Sequence, residues 1–164
     1  MKLLSVSIVL LNIISISFAG EVRLTTDPGL DRFPCWSPDR TKITYTSGAS
    51  GNDDVWVMNA DGTNKINITN NPSLDGDSEW SPYGNKIAFI SNRTGTKQIW
   101  TCSQTGGDLT QITNLPYNIY QPSWSPEMSK IVHKTADLLV QASVLTEIER
   151  NSNASIPMFK CSYC

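Results

Sequence analysis

The residues that could do chemistry in this chain are few, and the sequence favours a structural role for each. The chain has a single histidine, His133, so a Ser-His-Asp site would need that residue. The serines that recur in the tripeptide W-S-P are Ser37, Ser81 and Ser125, and no G-x-S-x-G elbow is present. We therefore expect His133 to be a buried or half-buried strand residue and the serines to serve turns, and we predict no catalytic residue.

Two short acidic clusters, residues 52–54 and 75–77, are the candidates for a cation site. Neither follows the spacing of a calcium loop, so we expect solvated loop carboxylates and predict no metal site. The sequence also lacks a phosphate-binding glycine loop, zinc-ligand spacing and a basic-aromatic stripe, and its net charge is −2. These observations predict no cofactor and no nucleic-acid partner.

The four cysteines, Cys35, Cys102, Cys161 and Cys164, are compatible with an oxidising compartment but do not define a disulfide framework. Cys35 and Cys102 stand at positions of a repeat that other residues fill in the other copies. Cys161 and Cys164 have C-x-x-C spacing, but they end the chain instead of opening a helix after a strand, which favours a frayed tail over a redox or metal site. Disulfide pairing of the four is left open.

The first 19 residues are typical of a secretory signal. Lys2 supplies a positive start, residues 3–18 are almost wholly apolar, and small residues precede an expected cleavage after Ala19. An uncleaved N-terminal anchor is the alternative, because the apolar run is slightly long for a signal. We expect a periplasmic or secreted protein with no membrane span after cleavage.

The rest of the chain is organised by a repeat of 44 residues. Its clearest element is the phrase C-W-S-P-D-R-T-K-I-T-Y, which starts at Cys35, recurs as E-W-S-P-Y-G-N-K-I-A-F and returns in a weaker third copy. A period in the forties made of short strand-like segments is typical of propeller blades with four strands each. The repeat residues expected to be structural are Trp36, Pro38, Trp56, Gly62, Trp80, Pro82, Trp100, Gly106, Trp124 and Pro126.

Each copy of the repeat can be divided into four strands and their turns. R-F-P-C-W-S predicts a first strand, and the proline after it fixes the turn because its φ is preset. K-I-T-Y-T and D-V-W-V-M-N alternate with the period of a strand, and A-D-G-T predicts a hairpin turn before an outermost strand, K-I-N-I-T. A blade hides its aromatic residues only by stacking on the next one, so we expect Trp36, Trp80 and Trp124 to be packing residues.

The combination of W-S-P-D-x-x-x-I-x-Y, D-V-W-V-M-N-A-D-G and I-T-N resembles the WD-like propeller repeat of the TolB family, over roughly residues 24–132. The resemblance implies an all-β fold, a partial β-propeller of antiparallel four-stranded blades. We predict a signal at 1–19, propeller repeats at 20–135 and a non-repeat tail at 136–164. Two complete blades are expected around 24–69 and 70–113, with a partial third at 114–135.

The same resemblance implies a non-enzymatic scaffold of the cell envelope that holds protein partners through its propeller loops. Propeller domains of prolyl-oligopeptidase-like serine peptidases share this type of repeat. A propeller remnant of such a hydrolase, lacking its catalytic domain, is therefore one alternative. A truncated product without retained function is another.

The sequence departs from the family in two respects. TolB proteins carry a separate N-terminal α/β domain and close a full ring of blades, whereas here the predicted signal is followed almost directly by the first blade. A closed propeller takes about four to eight blades, and closure removes the exposed sheet edges. Three explanations are a fragment of a longer propeller, a ring of several chains that self-associate through open blade edges, and a short stack capped by its tail.

The first part of the tail, residues 136–150, has two interpretations. It could hold a degenerate third strand, with Asp137 at the position of Asp54 in the first repeat. It could equally begin a helix that runs to Arg150, because apolar residues recur there at helical spacing. We favour the helix, since V-L-T-E-I-E-R contains no turn residue, and we expect disorder beyond Asn151.

Overall fold

The computed structural model describes residues 20–136 and the backbone of residues 140–144, and the described residues form only strands, turns and loops. The predicted signal, the end of the tail and the second pair of cysteines lie outside the described residues. The strands are β1 (Asp31–Trp36), β2 (Lys42–Ser47), β3 (Asp54–Asn59), β4 (Ile66–Asn67), β5 (Asp75–Trp80), β6 (Ile87–Thr94), β7 (Thr96–Cys102), β8 (Thr110–Gln111), β9 (Ile119–Trp124), β10 (Lys130–Thr135) and β11 (Val140–Val144).

These strands form three antiparallel sheets in which neighbours in sequence are neighbours in space. The first sheet has the order β1-β2-β3-β4 and the second the order β5-β6-β7-β8, while β9, β10 and β11 form the third. This up-and-down order is that of propeller blades. The predicted all-β partial propeller with two complete blades is confirmed, whereas the predicted domain boundaries stay a prediction.

The sheets stack face to face through their first strands. Strand β5 contacts β1, β2 and β3 of the preceding sheet, and β9 contacts β5, β6 and β7. Each interface is filled by apolar side chains that strand alternation directs to one face. The first interface buries Cys35, Val55, Val57, Ile68, Trp80, Ile87, Phe89 and Cys102, and the second buries Ala88, Ile90, Ile99, Ile119, Trp124, Met128 and Ile131.

The first strand of every blade carries a bulge at the same repeat position. Phe33, Asp77 and Gln121 have φ values of 54°, 49° and 51°, a left-handed conformation that is uncommon for such residues. The pairing register shifts between Arg32 and Cys35 in the first sheet and at the equivalent place in the second. A bulge bends a strand and increases its twist, so the repeat specifies one curvature for all three innermost strands.

The repeated glycines Gly62 and Gly106 are required by a close approach of backbone. Both have positive φ, 84° and 86°. A Cβ at Gly106 would lie 2.4 Å from the carbonyl oxygen of Ile68, and one at Gly62 would lie 3.0 Å from that of Leu24. Leu24 therefore takes, in front of the first sheet, the place that Ile68 takes in front of the second.

The helical interpretation of residues 136–150 is wrong where the structure describes them. Residues 140–144 form strand β11, which pairs antiparallel with β10 from Val144 opposite Lys130 to Val140 opposite Lys134. The strand edge of β10 offers unpaired backbone groups, and satisfying them outweighs a local helical pattern that stands on weak propensity alone. The register also aligns Val140 with Val55, which does not agree with Asp137 at the position of Asp54.

Candidate functional site

The W-S-P serines close the turn that follows each first strand. The hydroxyl oxygens of Ser37, Ser81 and Ser125 accept the backbone N–H of the residue five positions later at 2.9, 3.0 and 3.0 Å. The Ser37 hydroxyl also donates to Asp39 at 2.6 Å, and the Ser81 hydroxyl donates to Asn85 at 3.0 Å. These bonds give each serine a turn-forming role, as predicted from its recurrence.

The W-S-P tryptophans differ sharply in exposure. Trp80 and Trp124 are 5% and 8% exposed, and the Trp124 indole N–H donates to the carbonyl oxygen of Glu79 across the interface at 3.4 Å. Trp36 is 53% exposed, because no described sheet covers the face from which it projects. The expectation that all three pack between blades is therefore met by two of them and not by Trp36.

The outward face of the first sheet, which we call the open face, is aromatic and apolar. It carries Trp36, Ile43, Tyr45, Trp56 and Met58, which the register places side by side on β1, β2 and β3. Ile43, Tyr45 and Met58 are buried with Leu24 and Trp56 packed against them. Next to these residues Trp36 stays about half exposed, and so does Phe33 at the bulge of the same strand, so this part of the molecule presents aromatic surface of the kind that protein interfaces use.

Side chains of the first acidic cluster, residues 52–54, form hydrogen bonds that connect neighbouring loops. The fully buried carboxylate of Asp54 accepts hydrogen bonds from Ser50, Asn67 and Thr69 at 2.5–3.0 Å. Asn52 donates to the carbonyl oxygens of residues 71 and 73. In the next blade Gln98 donates to the carbonyl oxygens of residues 115 and 117, which hold the same positions in the repeat. Within the described residues no group of three or more metal-ligating side chains comes together.

The second acidic cluster contains a charge that is paired inside the protein. Asp75 is buried, and its carboxylate accepts from the guanidinium of Arg93 at 2.9 Å and from the amide of Asn71 at 2.7 Å. The Arg93 guanidinium lies over the rings of Trp100 and Phe89, 4.8 and 5.5 Å from their centroids. Asp77 is one of the left-handed bulge residues.

His133 and the two described cysteines are buried in the stack. His133 is 3% exposed on β10, and burial lowers the pKa of its imidazole. Burial raises the pKa of the Cys102 thiol to about 12, so this thiol is unreactive at neutral pH. Cys35 and Cys102 are thiols within the same interface cluster, and their packing role matches their positions in the repeat.

Sequence reasoning missed the role of Arg93. The signal was present in the 44-residue frame, which aligns Arg93 with Ala49 and Asn71 with Asp27. The residues that recur in the frame define the blade, whereas the role of Arg93 depends on positions that differ between copies. The structure shows that Ala49 and Arg93 lie beside equivalent aromatic rings, Trp56 in the first blade and Trp100 in the second.

The sheet order, the stacking and the repeated turns define a β-propeller repeat protein. A family model described as the TolB beta propeller domain matches residues 7–155, most of the chain. The chain therefore belongs to the TolB β-propeller family. A comparison with curated proteins gives no significant match.

Solved structures agree with this assignment. A protein described as TolB from Agrobacterium tumefaciens is similar, with 27% identity and a TM-score of 0.64 over 73% of this chain and 46% of that one. TolB from Acinetobacter baumannii matches with 20% identity and a TM-score of 0.60 over 75% of this chain and 34% of that one. This chain thus spans less than half the length of either TolB structure.

The fold is shared more widely than the family. An oligogalacturonate lyase in complex with manganese matches with 18% identity and a TM-score of 0.54 over 66% of this chain and 31% of that one, which shows a common fold and nothing about chemistry. Among the residues that the structure describes, none forms a helix long and apolar enough to cross a bilayer.

Proposed function

We propose that this protein is a non-enzymatic, exported scaffold of the cell envelope, periplasmic or secreted, that binds protein partners. The observation that carries the proposal is the open face, where Trp36 is 53% exposed beside a buried apolar cluster, together with Phe33, which is 49% exposed at the bulge of the same strand. Large exposed aromatic residues are costly in water and are enriched at protein interfaces. TolB membership and the apolar N-terminal segment support an envelope location.

A binding role also agrees with where the candidate chemical groups lie. His133 is buried in its sheet, and the recurring serines are bonded into turns. A nucleophile and base would need to meet at hydrogen-bonding distance beside open space. The exposed groups of the open face are instead aromatic, which suits contact rather than reaction.

Photo-cross-linking in cells tests both parts of the proposal. A photoreactive phenylalanine analogue replaces Trp36 or Phe33 in the tagged full chain, and Tyr117, an exposed aromatic residue in a loop of the second blade, serves as the matched control. We expect a discrete cross-linked protein from the Trp36 and Phe33 positions, recovered in the envelope or extracellular fraction. Retention of the chain in the cytoplasm, or the same cross-links from Tyr117, would contradict the proposal.

A further inference from the structure

The second blade contains a complete binding site for a guanidinium group, occupied by its own Arg93. The guanidinium donates to the buried carboxylate of Asp75 at 2.9 Å and, through Nε, to the hydroxyl oxygen of Ser91 at 2.8 Å. Trp100 and Phe89 provide ring faces at 4.8 and 5.5 Å. Stacking, a carboxylate and a planar hydrogen-bonding fork together are the features that select arginine over lysine.

The first blade keeps the frame of this site but lacks its arginine. The 44-residue repeat places Trp56, Tyr45 and Asp31 at the positions of Trp100, Phe89 and Asp75, and Ala49 at the position of Arg93. In both turns a backbone N–H donates to the hydroxyl oxygen of the serine two residues earlier. The Ala49 N–H donates to the Ser47 hydroxyl oxygen at 3.2 Å, and the Arg93 N–H donates to that of Ser91 at 3.3 Å.

The missing side chain leaves open space rather than a collapsed site. A cavity of about 490 Å³ lies on the open face beside Trp56, and its lining includes Ala49, Asp27, Thr63 and Lys65. The second blade fills the equivalent position above Trp100 with the Arg93 side chain.

The charge of the first site also differs from that of the second. Asp75 is neutralised by Arg93 and has Asn71 beside it, whereas the first blade has two acidic residues, Asp27 and Asp31, at the equivalent positions. Both carboxylates act on Tyr45, whose pKa is raised to about 12 by burial and then by these charges. Lys65 Nζ, at 3.9 Å from Asp27, offsets only one of the two charges.

We propose that this cavity binds the guanidinium group of an arginine side chain presented by a protein partner. The binding of such a side chain rests on the proposed function of a protein-binding scaffold. The incoming group stacks on Trp56 and faces Asp27, the carboxylate that lines the cavity. Asp31 adds negative charge nearby, where it acts on Tyr45. The third blade offers no such site, because Leu115, Ile119 and His133 stand at the positions of Asn71, Asp75 and Phe89. One arginine per chain is therefore expected.

A titration of the full ¹⁵N-labelled chain with the peptide acetyl-Ala-Arg-Ala-amide, followed by NMR, tests the site. The same peptide with citrulline keeps the shape of arginine without its charge. We expect saturable shifts of the Trp56 indole signal with the arginine peptide and binding at least about tenfold weaker with citrulline. Equal binding of the two peptides would overturn the proposal.

Variants locate the binding on the protein. Ala49→Arg supplies the missing side chain from within and should abolish the shifts, whereas Asn114→Arg adds the same charge at an exposed loop position and should leave them unchanged. Asp27→Asn should weaken binding at least about fivefold, because Asp27 is the carboxylate that lines the cavity. Unchanged amide spectra elsewhere show that each variant is folded, and full binding by folded Ala49→Arg would sink the assignment.

The peptide titration and the cross-linking experiment fail separately. If the arginine peptide does not bind but the Trp36 position still cross-links to a partner, the arginine site is wrong and the scaffold function stands. If the peptide binds as expected and no partner cross-links, the guanidinium site stands and its use in partner binding is wrong. Loss of the cross-link in Ala49→Arg, with retention in Asn114→Arg, supports both.

Discussion

The first and second sheets present faces built to one pattern, yet among the described residues only the face of the second is covered by another sheet. Trp36, Ile43 and Tyr45 on the open face correspond to Trp80, Ile87 and Phe89 at the interface between the first two sheets. Trp80 is 5% exposed and Trp36 is 53% exposed. The repeat therefore encodes a face on which another sheet can stack. The tryptophan of that face contributes to stability where such a sheet buries it.

The comparison also separates what a blade needs from what an interface adds. Turns, bulges and strand pairing are alike in both sheets, so they belong to the blade itself. The tryptophan and the carboxylate of the Asp75–Arg93 pair are buried in the second sheet, where the first sheet stacks on it. Substitutions at equivalent positions should thus have unequal effects.

Truncation of the two equivalent tryptophans should show the largest difference. Trp80→Ala removes a side chain that is packed between two sheets and should lower the free energy of unfolding by about 4 kcal/mol. Trp36→Ala removes a half-exposed ring and should cost less than about 1 kcal/mol. Urea denaturation followed by circular dichroism measures both, and equal losses would show that Trp36 is buried in solution, for example by self-association.

The ion pairs of the two blades should differ in their contribution to stability, and the pair of the second blade should contribute more, as its tryptophan does. Arg93→Met leaves the carboxylate of Asp75 buried without its cation and should destabilise the chain by about 3 kcal/mol. In the first blade Arg32 pairs with Asp53, but both side chains are about one-third exposed. Arg32→Met should therefore cost less than about 1 kcal/mol. A loss for Arg32→Met as large as that for Arg93→Met would contradict the expectation that burial of the carboxylate sets the cost of removing its cation.

The sequence predicts the blades well because their determinants are local and repeated. The proline turns, the alternating strands and the glycines Gly62 and Gly106 act within a few residues of one another, so a single chain reveals them. The predicted strands K-I-T-Y-T and D-V-W-V-M-N begin at Lys42 and Asp54, as β2 and β3 do in the structure. Family membership follows from the same pattern.

What the sequence does not predict depends on neighbours in space. Trp36 looks identical to Trp80 in its phrase, and only the stacking of sheets makes one exposed and the other buried. Residues 140–144 carry a helical pattern, but the edge of β10 draws them into a strand. Sequence reasoning missed the candidate arginine site for a related reason: the first blade shares the aromatic residues of the second but has Ala49 at the position of Arg93.

The smallest of these expected differences between blades concerns His133, which occupies the position that Tyr45 and Phe89 hold in the other blades. Burial lowers the pKa of its imidazole, and Nδ1 has no hydrogen-bond partner among the described residues. As the pH falls below the ordinary value of 6.5, the unfolded chain takes up a proton that the folded chain resists. The stability that the neutral, buried imidazole contributes is therefore fully present above pH 6.5 and is lost as the pH falls through the lowered pKa of His133.

Replacing His133 with the phenylalanine of the second blade should remove this dependence. Between about pH 7.5 and about pH 5.5, the Tm of the wild-type chain should fall by a few degrees more than that of His133→Phe, because only the wild type carries the buried imidazole. Thermal unfolding monitored by circular dichroism at both pH values gives the comparison. Equal falls in Tm would mean that the imidazole is solvated in the folded chain and that the third blade is packed less tightly than the second.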